Sequence, residues 1–201
     1  MAPPVVGFAV DIEKLGDDMI ANSVIGIGLA VMMLHNPQED EVIFKKRWWL
    51  EPREGTVEEK RCMDEFWSKN KATLEEARAN AEPWRAATVN FFHTVVTTAA
   101  ELIRENPLTE FIFLSDTAGY DLGHLDYYLS LVKLPSLRYA IGAQPQDNPT
   151  TVDPTPTDSH FLFTKGTYTP YMCVHDYHRG LIGHKFTTDG VWITNNEQMK
   201  G

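Results

Sequence analysis

Within its first fifty residues the chain repeats one pattern three times. Residues 5 to 12, 23 to 34 and 41 to 50 are rich in Val, Ile, Phe and Trp, and turn residues separate them. This predicts three successive strands laid down as a meander. The period then changes. The segment TVEEKRCMDEFW opens with a Thr56 to Glu59 capping-box spacing, and TLEEARAN repeats that spacing with Thr73 and Glu76, so two short helices are expected. From Pro83 to Asn106, Trp84, Ala87, Phe91, Val95, Thr98 and Leu102 recur on one face of a longer helix, which an Asn-Pro pair stops. EFIFLS at 110 to 115 reads as another strand, and YDLGHLDYYLSLV follows at helical spacing. Three strands followed by an alternating segment make an α/β domain with the long helix packed across its sheet.

A chain of 201 residues with 43% hydrophobic residues can bury one well-filled core, and a single domain over 1–201 is expected. A loop crowded with Pro and Thr, DNPTTVDPTPTDS at its centre, interrupts it at about 142–160. No run of eighteen apolar residues occurs, VIGIGLAVMML at 24 to 34 suits a core strand, and no membrane partner is expected. The opening MAPPVVGFAV lacks the features of a secretory signal, and Cys62 and Cys173, with no ligand spacing around them, read as ordinary thiols. A reducing, cytoplasmic setting fits. The net charge of -10 argues against a protein that coats nucleic acid by bulk attraction. Any nucleic-acid role must be local, either at a small basic patch such as Lys45, Lys46 and Arg47 or through metal ions held by clustered acids.

Candidate acids stand at the ends of the apolar runs. In an extended strand Asp11 and Glu13 share a face, and two carboxylates that close repel unless a pKa rises or a hard divalent cation lies between them. Taken alone, the pair also fits the solvated end of a strand that stops at Val10. Asp121, in SDTAGYDLGHLDYYL, opens a helix after a strand, where free backbone N–H groups favour any anion, and Asp116 and Asp126 are rivals. In GHKFTTDGVWIT, His184 precedes Asp189 by five positions; the neighbouring His175, Asp176 and His178 compete, but Gly183 stands where His178 would need its acid.

Taken in order, DIE, TAGYDLGHL and HKFTTDG resemble the three motifs of the DEDDh 3'-5' exonucleases, the DnaQ-like branch of the RNase H-like fold. The resemblance spans nearly the whole chain and is nearest to the small RNase T-like and phage-type enzymes, through MDEFWSKN. It implies a central mixed five-stranded sheet flanked by helices. It also implies metal ligands at Asp11, Glu13, Asp121 and Asp189 and a catalytic His184. The chain departs from the family pattern at Thr117, Tyr120 and Gly190, and Gly190, Thr194, Asn195 and Asn196 are weak formers of the C-terminal helix that the family carries.

The implied chemistry is hydrolysis of single-stranded RNA or DNA from its 3' end to nucleoside monophosphates. Two Mg2+ or Mn2+ ions about 4 Å apart activate water and stabilise the leaving 3'-oxygen, while His184 takes the water's proton. Glu13 would also touch the terminal 3'-hydroxyl. Tyr120 and Phe186 are candidates to stack on terminal bases, with Leu15 as a wedge. Trp48 and Trp49 point to opposite strand faces, so at least one belongs to the core. A homodimer is common in the RNase T-like group. The alternative is a nuclease-fold module that binds nucleic acid or a protein partner without cleaving.

Overall fold

The computed structural model describes residues 4–34, 41–115, 118–141, 171–173, 184–186 and 192–194; residues 118–119, 138 and the last three segments are described by backbone alone. In chain order the elements are β1 (Val5–Lys14), β2 (Val24–Leu34), β3 (Glu41–Trp49) and α1 (Lys60–Cys62), which runs into a π-helical turn at Met63–Trp67. There follow α2 (Lys71–Asn80), α3 (Trp84–Glu105), β4 (Glu110–Ser115), α4 (Ala118–Leu131) and α5 (Leu137–Ala140). Three short strands complete the order, β5 (Tyr171–Cys173), β6 (His184–Phe186) and β7 (Trp192–Thr194).

The first five strands in this numbering form one sheet in the order β3-β2-β1-β4-β5. β1 pairs antiparallel with β2, and β2 with β3, which is the expected meander. β4 lies parallel to β1 on its other side, and β5 parallel to β4, so the sheet is mixed and five-stranded as expected. β6 and β7 form a separate antiparallel ribbon. The segment at 192–194, where the family resemblance implies a helix, is thus a strand; Val191, Trp192, Ile193 and Thr194 include three β-branched residues, which favour extended backbone.

Alternation along β1 divides the interior. Val6, Phe8, Val10 and Ile12 join Ile27, Leu29, Val31 and Trp48 on one face, where α3 contributes Ala87, Phe91 and Val95 and α4 contributes Leu122, Leu125 and Leu129. Trp48 meets Phe91 edge-on with ring centroids 5.4 Å apart. Each such buried aromatic or aliphatic side chain contributes about 1.5–3 kcal/mol of transfer free energy. On the opposite face lie Ala9, Ala30, Met32, Ile112 and Leu114, and beyond them a third cluster of Leu15, Ile25, Trp49, Trp67, Leu74 and Ala77 binds α2 and the π turn to the sheet. Both Trp48 and Trp49 are therefore core residues, one on each face.

α3 matches its expected span, and its C-terminal carbonyl of Leu102 still receives the N–H of Asn106. The two expected capping boxes do not form. Thr56 donates its hydroxyl to the carbonyl of Arg53 instead, and the Glu59 carboxylate accepts the backbone N–H of Asp17. α2 begins before Thr73, and Glu76 is drawn to Arg47 and to the indole N–H of Trp49. In both cases a long-range partner outcompetes the local cap.

Candidate functional site

β1 runs through Asp11 and Glu13 to Lys14, so the strand does not stop at Val10. Both acids are half-buried and lie on the face of Ala9, opposite Val10 and Ile12. The paired stretch of β1 and β4 ends at Ala9 and Leu114, two residues before Asp11. The acids thus emerge where the parallel strand leaves off, at the carboxyl ends of β1 and β4, the edge where open α/β sheets hold their ligands. β2 supplies Gly28 opposite Asp11 and Gly26 opposite Glu13. The absence of a side chain at Gly26 admits the Trp49 ring, since a Cβ there would lie 2.6 Å from Trp49 Cζ3 and 3.2 Å from Glu13 Cβ.

β4 leads into α4, whose first turn carries Asp121 in a 6% exposed position. Tyr120 stands beside it and donates its hydroxyl to Asp17 Oδ1 at 2.8 Å. The Lys14 ammonium bonds the Tyr120 hydroxyl, lies 3.6 Å from the ring centroid and reaches Asp17 Oδ1 at 3.7 Å. Burial lowers the Lys14 pKa, while the charges of Asp17 and Asp121 oppose that shift. One turn on, His124 is 3% exposed, holds the Tyr120 carbonyl through Nδ1 at 2.7 Å, and packs against the Tyr120 ring with centroids 4.6 Å apart. Desolvation, with Lys14 adding to it and Asp17 working against it, pulls the His124 pKa down to about 4.

The turn after the site is built as firmly. The Lys14 carbonyl accepts the indole N–H of Trp67 at 2.8 Å and faces Cys62 Sγ at 3.6 Å. Asp18 Oδ1 accepts the N–H groups of Ile20 and Ala21, while Arg53 donates to the carbonyls of Met19, Ile20 and Asn22 and to the hydroxyl of Tyr128. Leu15, expected as a wedge, is 3% exposed and sits in the Trp67 cluster. Cys62 is a free, half-buried thiol whose pKa is raised by burial.

The structure therefore brings Asp11, Glu13, Tyr120 and Asp121 to one end of the sheet. The β6 backbone, which carries His184 and Phe186, comes within 8 Å of β1 between Cα atoms. Asp189 lies outside the described residues, as do Asp116, His175, Asp176, His178 and the 142–160 loop. Asp126 has a structural task, accepting the N–H of Leu137 at the start of α5. Lys45 and Lys46 are exposed on the edge strand β3, where Arg47 pairs with Glu76 at 3.1 Å.

An all-carboxylate donor set suits a hard divalent ion such as Mg2+ or Mn2+. Among the described residues, however, no three His, Cys, Asp or Glu side chains gather closely enough to hold one. The described acids fit such an ion in chemistry and supply part of a site rather than a closed cage. Sequence reasoning missed Lys14, Asp17 and His124. The lysine directly after DIE was a signal: strict alternation puts it on the face of Val10 and Ile12, which α4 covers, but its partners Tyr120 and Asp17 show only in the packed fold.

No protein-family model matches the chain, and no curated protein sequence matches it. Solved structures do. A product-bound exonuclease I superposes over 100% of this chain at 12% identity and a TM-score of 0.53. E. coli exonuclease I in complex with a dT13 oligonucleotide covers 95% at 12% identity and TM-score 0.53, and an ExoI/SSB-Ct complex covers 97% at 12% and 0.52. The chain spans 38%, 34% and 35% of the lengths of those proteins. Among the described residues no helix is long and apolar enough to cross a membrane. What the chain shares with these structures is the fold: a mixed RNase H-like sheet flanked by helices, as in exonuclease I.

Proposed function

We propose that the chain is a metal-dependent 3'-5' exonuclease that shortens single-stranded RNA or DNA and releases nucleoside monophosphates. The observation that supports it most is the placement of Asp11 and Glu13, half-buried on one face at the carboxyl end of β1, with Asp121 buried in the first turn after the parallel strand β4. Two like charges so placed are unfavourable unless a pKa rises or a cation lies between them. Asp11, Glu13, Asp121 and Asp189 would hold Mg2+ or Mn2+, whose chemistry when bound is to activate water and to stabilise the leaving oxygen. His184 would accept the proton of the attacking water, a task for a group titrating near neutrality. Glu13 would also orient the terminal 3'-hydroxyl. Tyr120 and Phe186 would border the terminal base. The likeness to exonuclease I structures that hold a product or an oligonucleotide supports the same reading.

One observation favours a second reading, a module that binds nucleic acid without cutting it: among the described residues no three ligating side chains close on an ion. A single assay separates the two. Single-stranded RNA and DNA labelled at the 5' end are incubated with Mg2+, Mn2+ or EDTA, beside Asp11→Ala. A ladder shortening from the 3' end, lost with EDTA and in the variant, is expected. Intact substrates throughout, with binding seen by fluorescence anisotropy, would establish the module instead.

A further inference from the structure

Lys14 follows the acid pair directly, and the fold turns it inward. The register shift that gives β2 its extra residue Ile25 falls between Glu13 and Lys14. The Lys14 side chain is 10% exposed, and both ends of the residue are fixed. Its carbonyl is held by the Trp67 indole N–H at 2.8 Å. Its ammonium bonds the hydroxyl of Tyr120, lies 3.6 Å over that ring, and stands 3.7 Å from Asp17. Tyr120 immediately precedes Asp121 on α4, so this cation is built in between the segment that carries Glu13 and the one that carries Asp121. A desolvated ammonium is unfavourable unless anions answer it, and Asp17 and Asp121 do so here.

We propose that Lys14 is a resident cation of the acid site, a positioning residue that stands by charge in the place of one divalent ion and weakens divalent binding at Asp121. The inference rests on the reading of Asp11, Glu13 and Asp121 as metal ligands. In the absence of nucleic acid the chain then takes one divalent ion firmly. A second ion binds appreciably only when substrate phosphates add negative charge.

The test is a Mn2+ titration of the full chain by calorimetry, with bound Mn2+ counted by electron paramagnetic resonance. Lys14→Met removes the charge at similar volume. It should tighten Mn2+ binding by about tenfold or more, or reveal a second ion, because a unit charge close to a divalent ion is only partly screened in a protein. Lys14→Arg keeps the charge and should stay within about threefold of wild type on the same argument. A merely structural lysine predicts the opposite sign, since its loss would loosen the site. Lys14→Met that binds Mn2+ as wild type does, or more weakly, overturns the inference and leaves the metal reading standing. Wild type that takes up no Mn2+ overturns the metal reading itself, and this inference with it. Lys14→Gln serves if the Met variant does not fold. If neither folds, two Mn2+ ions bound to wild type with equal affinity overturn the inference.

Discussion

Acidification should destabilise this fold through one buried imidazole. The Tyr120 carbonyl can only accept, so His124 Nδ1 carries the proton, at 2.7 Å. Charging the ring would put a second positive charge in a desolvated site beside the Lys14 ammonium, with only Asp17 acting the other way. Burial first, and Lys14 second, therefore hold the folded-state pKa down at about 4, against 6.5 for a free histidine. A depressed histidine pKa means that the unfolded chain binds the proton first. The contribution of His124 to stability is fully present above pH 6.5 and is lost as the pH falls from there towards 4. Linkage puts the loss at about 1 kcal/mol by pH 5.5 and about 2–3 kcal/mol by pH 4.5.

Other groups titrate in the same window, so the measurement is a difference. Urea unfolding of wild type and His124→Leu would be followed at pH 7.5, 6.5, 5.5 and 4.5. At pH 7.5 the variant should be the less stable of the two, having lost the bond to the Tyr120 carbonyl. The gap should close by roughly 2–3 kcal/mol at pH 4.5, because only wild type carries the buried imidazole. A gap that stays constant across the series would refute the argument, showing that His124 titrates alike in the folded and unfolded chains.

Two further outcomes follow from single atoms. Tyr128, fully buried, accepts the N–H of Val24 at 2.8 Å and Arg53 Nε at 3.1 Å, so Tyr128→Phe leaves two donors unanswered and should cost about 1–3 kcal/mol in urea unfolding; an unchanged midpoint would show that water replaces the hydroxyl. Gly26→Ala puts a methyl 2.6 Å from Trp49 Cζ3 and should cost about 1–3 kcal/mol, a penalty that shrinks in a Trp49→Leu background if the clash is its cause.

What could be read in the sequence was what depends on local period. β1 to β4 and α3 follow from alternation and from apolar spacing along short stretches, and the shared face of Asp11 and Glu13 is the same alternation carried two residues past the core. Asp121 followed from its place after a strand. The failures were places where a side chain answers to a distant partner. Glu59 and Glu76, spaced like capping residues, instead serve Asp17, Arg47 and Trp49. Lys14 could not be matched to Tyr120 and Asp17, nor His124 seen as buried, without the packing of α4 on the sheet.

The same division explains how the fold tolerates its acids. A half-buried carboxylate pair opposes folding, and among the described residues the pairing of β1 with β4 runs to Ala9 and Leu114. The strand end is held from behind. Trp67, fully packed in the third cluster, donates to the Lys14 carbonyl, and the next residue, Leu15, is buried beside it while its N–H donates to the Ser23 carbonyl at 2.9 Å. Arg53 then fixes the turn from Met19 to Asn22 and bonds Tyr128 on α4, the helix that also carries Asp121. The segments bearing the acids are therefore joined by hydrogen bonds through Trp67 and Arg53. Apolar burial around Trp67 and Tyr128 offsets the cost of the acid pair.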